Sequence, residues 1–183
     1  MTELFTNYPR VLAIDPTTKG FAYALLEGPS LLIDWGLTQV EGRKHSNCLL
    51  RLEKLIERYA PDVLVLEDYR GAGSRRCTRI KRLIRSAAIL ARRDQLQTKQ
   101  FSRGRVRRFF SPTAVPTKQA IATAVAERFP ELAPRLPRIR KPWMSEDERM
   151  SIFDAVALAV TYFETRRKRI NPPVEPTQLP HAA

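Results

Sequence analysis

Apolar and polar positions along this chain repeat with two different periods. Residues 10–15 read RVLAID, a short aliphatic run that stops at Asp15-Pro16. A run of that kind ending in Asp-Pro predicts a strand followed by a turn. Residues 20–26 place Phe21, Tyr23 and Leu25 at every second position, and residues 31–40 carry Trp35 in a third run of strand character. Glu27, Gly28 and Pro29 turn the chain between them, so the three runs predict an antiparallel meander. From Cys48 the period becomes helical. Leu49, Leu52, Leu55 and Ile56 share one stripe over residues 48–59, and Pro61-Asp62 closes it. Residues 63–66, Val-Leu-Val-Leu, are continuously apolar before Glu67, which predicts a strand buried on both faces.

In the second half, Gly71, Ala72, Gly73 and Ser74 predict a flexible loop. Ile80, Leu83, Ile84, Ala87, Ala88 and Ala91 define an amphipathic helix over residues 79–93. Residues 106–110 read as a short strand. Thr117 opens a helix whose face carries Ile121, Ala124, Val125 and Phe129, and Pro130 ends it. Residues 133–142 form a basic loop punctuated by prolines. Ser145 and Glu148 have capping-box spacing, so the last helix is expected to start there and to reach about Arg167. Residues 171–183 are Pro-rich and polar and predict a disordered tail. The whole is an α/β domain over residues 1–170. Its sheet is mixed and five-stranded, an antiparallel three-strand meander plus parallel strands, flanked by helices.

Composition narrows the class. A chain of 183 residues with 43% hydrophobic content builds one domain with a full core. Two cysteines, Cys48 and Cys77, make no disulfide scaffold, which places the protein in a reducing compartment, a cytoplasm. No apolar run reaches membrane-spanning length, and the first ten residues lack a signal-peptide core. The formal charge is +13, and it is concentrated. Residues 70–118 hold 15 Lys and Arg against one acid, Asp94, while the rest of the chain is within one charge of neutral. Unopposed charge at that density repels itself in a compact state and points to a polyanionic partner, nucleic acid. The candidate contacts are Arg70, Arg75, Arg76, Arg79, Arg82, Arg105, Arg107, Arg108 and Lys118, with Tyr69 as the neighbouring aromatic.

Three carboxylates carry the candidate chemistry. Asp15 and Glu67 each follow four apolar residues. If both strands are central, parallel and paired, the two acids are neighbours about 4.8 Å apart at the strand ends where α/β sheets bind ligands. The third is Asp154, the only charged residue between Arg149 and Glu164 in a helix that is apolar on nearly every face. A buried carboxylate there costs several kcal/mol, on the order of its desolvation penalty, unless it is paired or binds a cation. Hard oxygen ligands brought close together suit Mg²⁺ or Mn²⁺. Two such ions about 4 Å apart stabilise the attacking and leaving oxygens of a phosphodiester displacement. His45 and His181 are the only histidines, which argues against a His-based zinc site or a Ser-His-Asp triad. No glycine-rich nucleotide-binding pattern is present.

With these motifs in this order, the chain resembles the RuvC-type Holliday junction resolvases of the RNase H-like nuclease superfamily. The resemblance spans roughly residues 10–167. It rests on Ile14-Asp15-Pro16 with Gly20 and Tyr23, on Pro61-Asp62 through Leu66-Glu67, on the helix after the glycine loop, and on Asp154-Ala155-Val156-Ala157-Leu158-Ala159. It implies a homodimeric, metal-dependent endonuclease that cuts four-way DNA junctions by paired nicks. Asp15, Glu67 and Asp154 would hold two Mg²⁺ or Mn²⁺ ions, and Lys118 would contact the scissile phosphate, with Arg107 as a second basic residue. The helix over residues 79–93 would pair with its copy. The chain departs from the family at three places. Thr17 replaces a glycine after Asp-Pro. Ser151 replaces an acid one turn before Asp154, leaving Asp147 as the candidate fourth ligand. Arg70 stands where an aromatic is expected, with Tyr69 beside it. An RNase H-like nuclease acting on RNA or another branched substrate, and a catalytically weakened junction-binding protein, remain open alternatives.

Overall fold

The computed structural model describes residues 8–71, 76–111, 116–141 and 143–170. Strands β1 (Arg10–Pro16), β2 (Gly20–Glu27) and β3 (Leu32–Gln39) form the meander. With β4 (Val63–Glu67) and β5 (Gln97–Phe101) they make a five-stranded mixed sheet in the order β3-β2-β1-β4-β5. The first three strands are antiparallel neighbours, and β1, β4 and β5 run parallel. The sheet is flanked by α1 (Lys44–Tyr59), α2 (Thr78–Arg93), α3 (Arg103–Phe110), α4 (Lys118–Arg128) and α5 (Met150–Ile170), with a short 3-10 helix at Pro130–Arg135.

The two-residue period of the strands decides which layer each side chain joins. Val11 and Ala13 of β1, with Val63 and Val65 of β4, face the layer that holds α4 and α5. Leu12, Ile14, Leu64 and Leu66 face the opposite layer, built from α1 and α2. Asp15 and Glu67 continue the first series, so both acids fall on the α5 side of the sheet. Ala155, Ala157 and Ala159 are fully buried, and their small side chains let α5 lie close across β1 and β2. The β1–β2 turn keeps its shape with threonine in place of glycine. The Thr17 backbone N–H donates to Gly20 O at 2.9 Å, and Thr17 Oγ1 accepts from the Gly20 N–H at 3.0 Å. Glycine is required at position 20, since a Cβ there would stand 1.8 Å from Thr38 O.

Three elements differ from expectation. The fifth strand is Gln97–Phe101, and residues 106–110 belong to helix α3. The strand QTKQF shows no apolar alternation because it is an edge strand, paired only with β4. Helix α3 is set by Ser102, whose side chain accepts from the Arg105 N–H, and by arginines that favour helix. Helix α5 starts at Met150, not at the Ser145–Glu148 box, because Glu148 pairs instead with Lys19 and Gln39. The apolar stripe of α2 packs against α1 and the sheet of its own chain, so it is not free for a second copy. Cys48 and Cys77 are both free thiols. Among the described residues no helix is long and apolar enough to cross a membrane. Arg75 and residues 72–74 and 171–183 lie outside the described residues.

Candidate active site

The parallel pairing of β1 with β4 sets Ala13 opposite Val65. Continuing that register places Asp15 beside Glu67, and each is only 3% exposed. Asp154 lines the same cavity from α5, its side chain 23% exposed. A cavity of about 40 Å³ is bounded by all three acids, by Arg76, Arg103, Arg107 and Lys118, and by an apolar wall of Phe101, Val106, Ile121 and Leu158. That volume admits an ion or a few waters, not a base or a sugar.

The acids are close enough to disturb one another. Burial pushes Asp15 up to about 7, the Arg76 charge pulls it back, and repulsion from Asp154 and Glu67 adds to the rise. The Arg76 guanidinium lies between the two strand-end acids. Its Nη2 pairs with Asp15 Oδ1 and stands 2.5 Å from Glu67 Oε2. Its Nε donates to Glu67 Oε2 at 2.7 Å, and its Nη1 donates to Pro16 O at 3.2 Å. Arg103 Nε lies 3.1 Å from Glu67 Oε1. Lys118, the first residue of α4 after the Thr117 cap, lies 3.1 Å from Asp154 Oδ2 and 2.5 Å from Glu146 Oε1. Burial depresses the Lys118 ammonium, but Asp154 and Glu146 outweigh it and the net shift is upward.

Two of the buried oxygens remain open. Glu67 Oε1 and Asp154 Oδ2 accept no hydrogen bond, since the cations 3.1 Å away are within charge-pairing distance but misdirected. Orphaned carboxylate oxygens beside a small cavity fit a hard divalent cation in donor chemistry. The arrangement does not yet fit in geometry. Among the described residues no three ligating side chains surround a common point, and the Arg76 guanidinium already pairs with oxygens of both Asp15 and Glu67.

The other sequence candidates are placed as follows. Asp147 is not at the cavity. Its carboxylate accepts from Arg149 Nη2 at 2.6 Å, Nε at 3.0 Å and the backbone N–H at 2.9 Å, which holds it below the usual carboxylate range. It therefore shapes the entry to α5, and Ser151 leaves no acid one turn before Asp154. Arg76, Arg107 and Lys118 line the cavity, while Arg79 reaches Thr17 O at 3.5 Å. Tyr69 OH accepts from Arg85 Nε at 3.1 Å with Arg70 over its ring. Arg82 and Arg108 are exposed, and Arg105 Nη2 donates to Thr165 Oγ1 at 3.4 Å. Sequence reasoning missed Arg103 and Glu146. Recognising Ser102 as a helix cap would have found the first, because it puts Arg103 on the first turn of α3 beside the strand ends.

No family model matches the chain, and no curated protein matches it by sequence. Solved structures match it in shape. Thermus thermophilus RuvC superposes with a TM-score of 0.64 at 15% identity, over 86% of this chain and 96% of RuvC. T. thermophilus RuvC in complex with Holliday junction substrate gives 0.62 at 15% identity, over 87% and 96%. The yeast mitochondrial Holliday junction resolvase Ydc2 gives 0.59 at 14% identity, over 91% and 86%. Strand order, helix placement and these superpositions together identify the fold as that of the RuvC-type Holliday junction resolvases.

Proposed function

We propose that this chain is a metal-dependent endonuclease that resolves four-way DNA junctions by paired nicks, acting as a homodimer. The observation that carries the reading is the convergence of Asp15, Glu67 and Asp154, from two strands and a helix, on one cavity with a basic wall. Asp15, Glu67 and Asp154 would hold Mg²⁺ or Mn²⁺, in a pair if a fourth donor completes the set. Bound there, such ions supply a nucleophilic water at neutral pH and neutralise charge on the phosphodiester. The chain's own groups do the positioning. Lys118 and Arg107 offer donors to the scissile phosphate from the α4 and α3 sides, and Arg103 holds Glu67 in place. The apolar wall of Phe101, Val106, Ile121 and Leu158 excludes bulk water, which strengthens every charge interaction inside. Arg76 pairs with Asp15 and Glu67 and would have to release them before they could hold a cation. Two such sites on one junction require two copies of the chain, and with the α2 stripe buried the contact between them would use other residues.

The test is a substrate panel. Purified protein is incubated with labelled four-way DNA, linear duplex and structured RNA, each with Mg²⁺ or Mn²⁺. Paired nicks on the junction alone are expected. Cutting of RNA alone, or binding without cutting in any metal, would overturn the reading. A second expectation follows from the basic section. Junction affinity should fall about a thousand-fold between about 50 and 200 mM salt if six or more phosphates are contacted, as read by fluorescence anisotropy. A flat salt response would contradict phosphate contact.

A further inference from the structure

The segment joining the 3-10 helix to α5 is clamped at both ends by consecutive residues of α4. Gln119 Nε2 donates to Pro137 O at 3.0 Å, and Lys118 Nζ pairs with Glu146 Oε1 at 2.5 Å. Because Lys118 also lies against Asp154, the Glu146 end of the segment sits beside the cavity. What it carries between the clamps is unusual for a solvent-facing loop. Trp143 is 78% exposed and Ile139 is 82% exposed. Arg138, Arg140 and Lys141 are exposed beside them, and no acid interrupts the run before Glu146. Lys141 Nζ sits 5.4 Å from the Trp143 ring centroid. Soluble surfaces seldom leave large apolar side chains clustered and unpacked without a partner. An aromatic plane beside exposed cations matches the surface that binds unstacked nucleic acid: rings take base faces while cations take phosphates.

We propose that this clamped segment is a stacking arm for the DNA strand that enters the cavity, with Trp143 taking an unpaired base at the branch point. Arg138, Arg140 and Lys141 contact the flanking phosphates. The inference rests on the reading of branched DNA as the substrate, and it assigns a binding role to residues outside the basic section at residues 70–118. A continuous duplex offers no free base face, so the arm discriminates branched from linear DNA.

The experiment measures affinity in EDTA, so that cleavage does not enter. Trp143→Ala should weaken binding of a four-way DNA junction about ten-fold, the scale of losing one base-aromatic stack. It should change linear-duplex binding less than two-fold. Trp143→Phe should recover most of the loss, and thermal melting of both variants should match the parent. Abasic sites at the branch point should remove the difference between Trp143→Ala and the parent. Unchanged junction affinity for Trp143→Ala, or an equal loss on junction and duplex, would overturn the arm. The two readings separate cleanly. A parent protein that cuts junctions while Trp143→Ala binds normally sinks the arm alone, whereas a parent with no preference for junctions sinks the substrate assignment itself.

Discussion

Asp154→Asn should lower junction cleavage by about a thousand-fold or more while leaving junction binding in EDTA within about two-fold. The size follows from what the carboxylate does. Asp154 stands on a helix otherwise committed to the core, and its Oδ2 is buried without a hydrogen bond. It repels Asp15 and pairs with Lys118 at 3.1 Å. Asparagine preserves shape and removes the charge. The cavity then loses a third of its negative ligands, and loss of one preorganised charge contact in such a site costs about 100- to 1,000-fold in rate even before cation affinity falls. Binding should survive, because the DNA-facing cations are untouched and Lys118 keeps Glu146. Folding should survive too, since the ion pair lost with Lys118 is set against relief of the repulsion from Asp15. Single-turnover cleavage and anisotropy in EDTA check the two halves. Normal cutting by Asp154→Asn would remove the chemical basis of the endonuclease reading.

Arg76→Ala should pull stability and metal affinity in opposite directions. In metal-free buffer the variant leaves Asp15 buried without its ion-pair partner, next to a Glu67 held only by Arg103. Breaking a buried ion pair by removing one partner costs about 3 kcal/mol, which for a chain of this size lowers the melting temperature by roughly 5–10 °C. On the proposed reading a divalent cation would compete with Arg76 for these oxygens, so removing the arginine should tighten Mn²⁺ binding about ten-fold if the guanidinium occupies the site nine-tenths of the time. Added Mn²⁺ should then stabilise the variant more than the parent, because a ligand bound only by the native state raises its stability. Calorimetric titration and melting curves with and without Mn²⁺ read both effects. Arg76→Lys, which keeps one charge but loses the fork that spans both acids, should fall between the two. Equal Mn²⁺ affinity in parent and variant would show that the guanidinium and the cation occupy different places.

The parts of this site that can be read from sequence are those written in local pattern. Val11–Ile14 before Asp15 and Val63–Leu66 before Glu67 are apolar because central strands are buried on both faces. A lone aspartate in an all-round apolar helix is equally local, and so is Lys118 after a Thr117 cap. What resists reading is set by tertiary placement. Edge strand β5 has no apolar period because one side pairs with nothing, and the Val-and-Phe-rich segment after it imitates a strand while Ser102 makes it a helix. Arg76 belongs to the cavity only through its tertiary contacts with the ends of β1 and β4, and nothing in its immediate neighbours distinguishes it from the other arginines of the basic section, whereas Arg103 is legible only through the Ser102 cap. Asp147 has the right spacing for a helical neighbour of Asp154, but a hydrogen-bonding arginine two residues away captures it first.

The side of the sheet on which the two strand-end acids emerge also bears on how this protein tolerates change in chain length. A substitution within β1 or β4 alters one side chain, but losing or gaining a single residue there reverses the facing of everything beyond it. Glu67 would then point into the aliphatic layer shared with α1 and α2, where Leu64 and Leu66 now pack. The carboxylate would be stranded in hydrocarbon and absent from the cavity at once. Between Val63 and Glu67, residue count is therefore as strict a requirement as residue identity, while the loop after Glu67 is free of that parity rule.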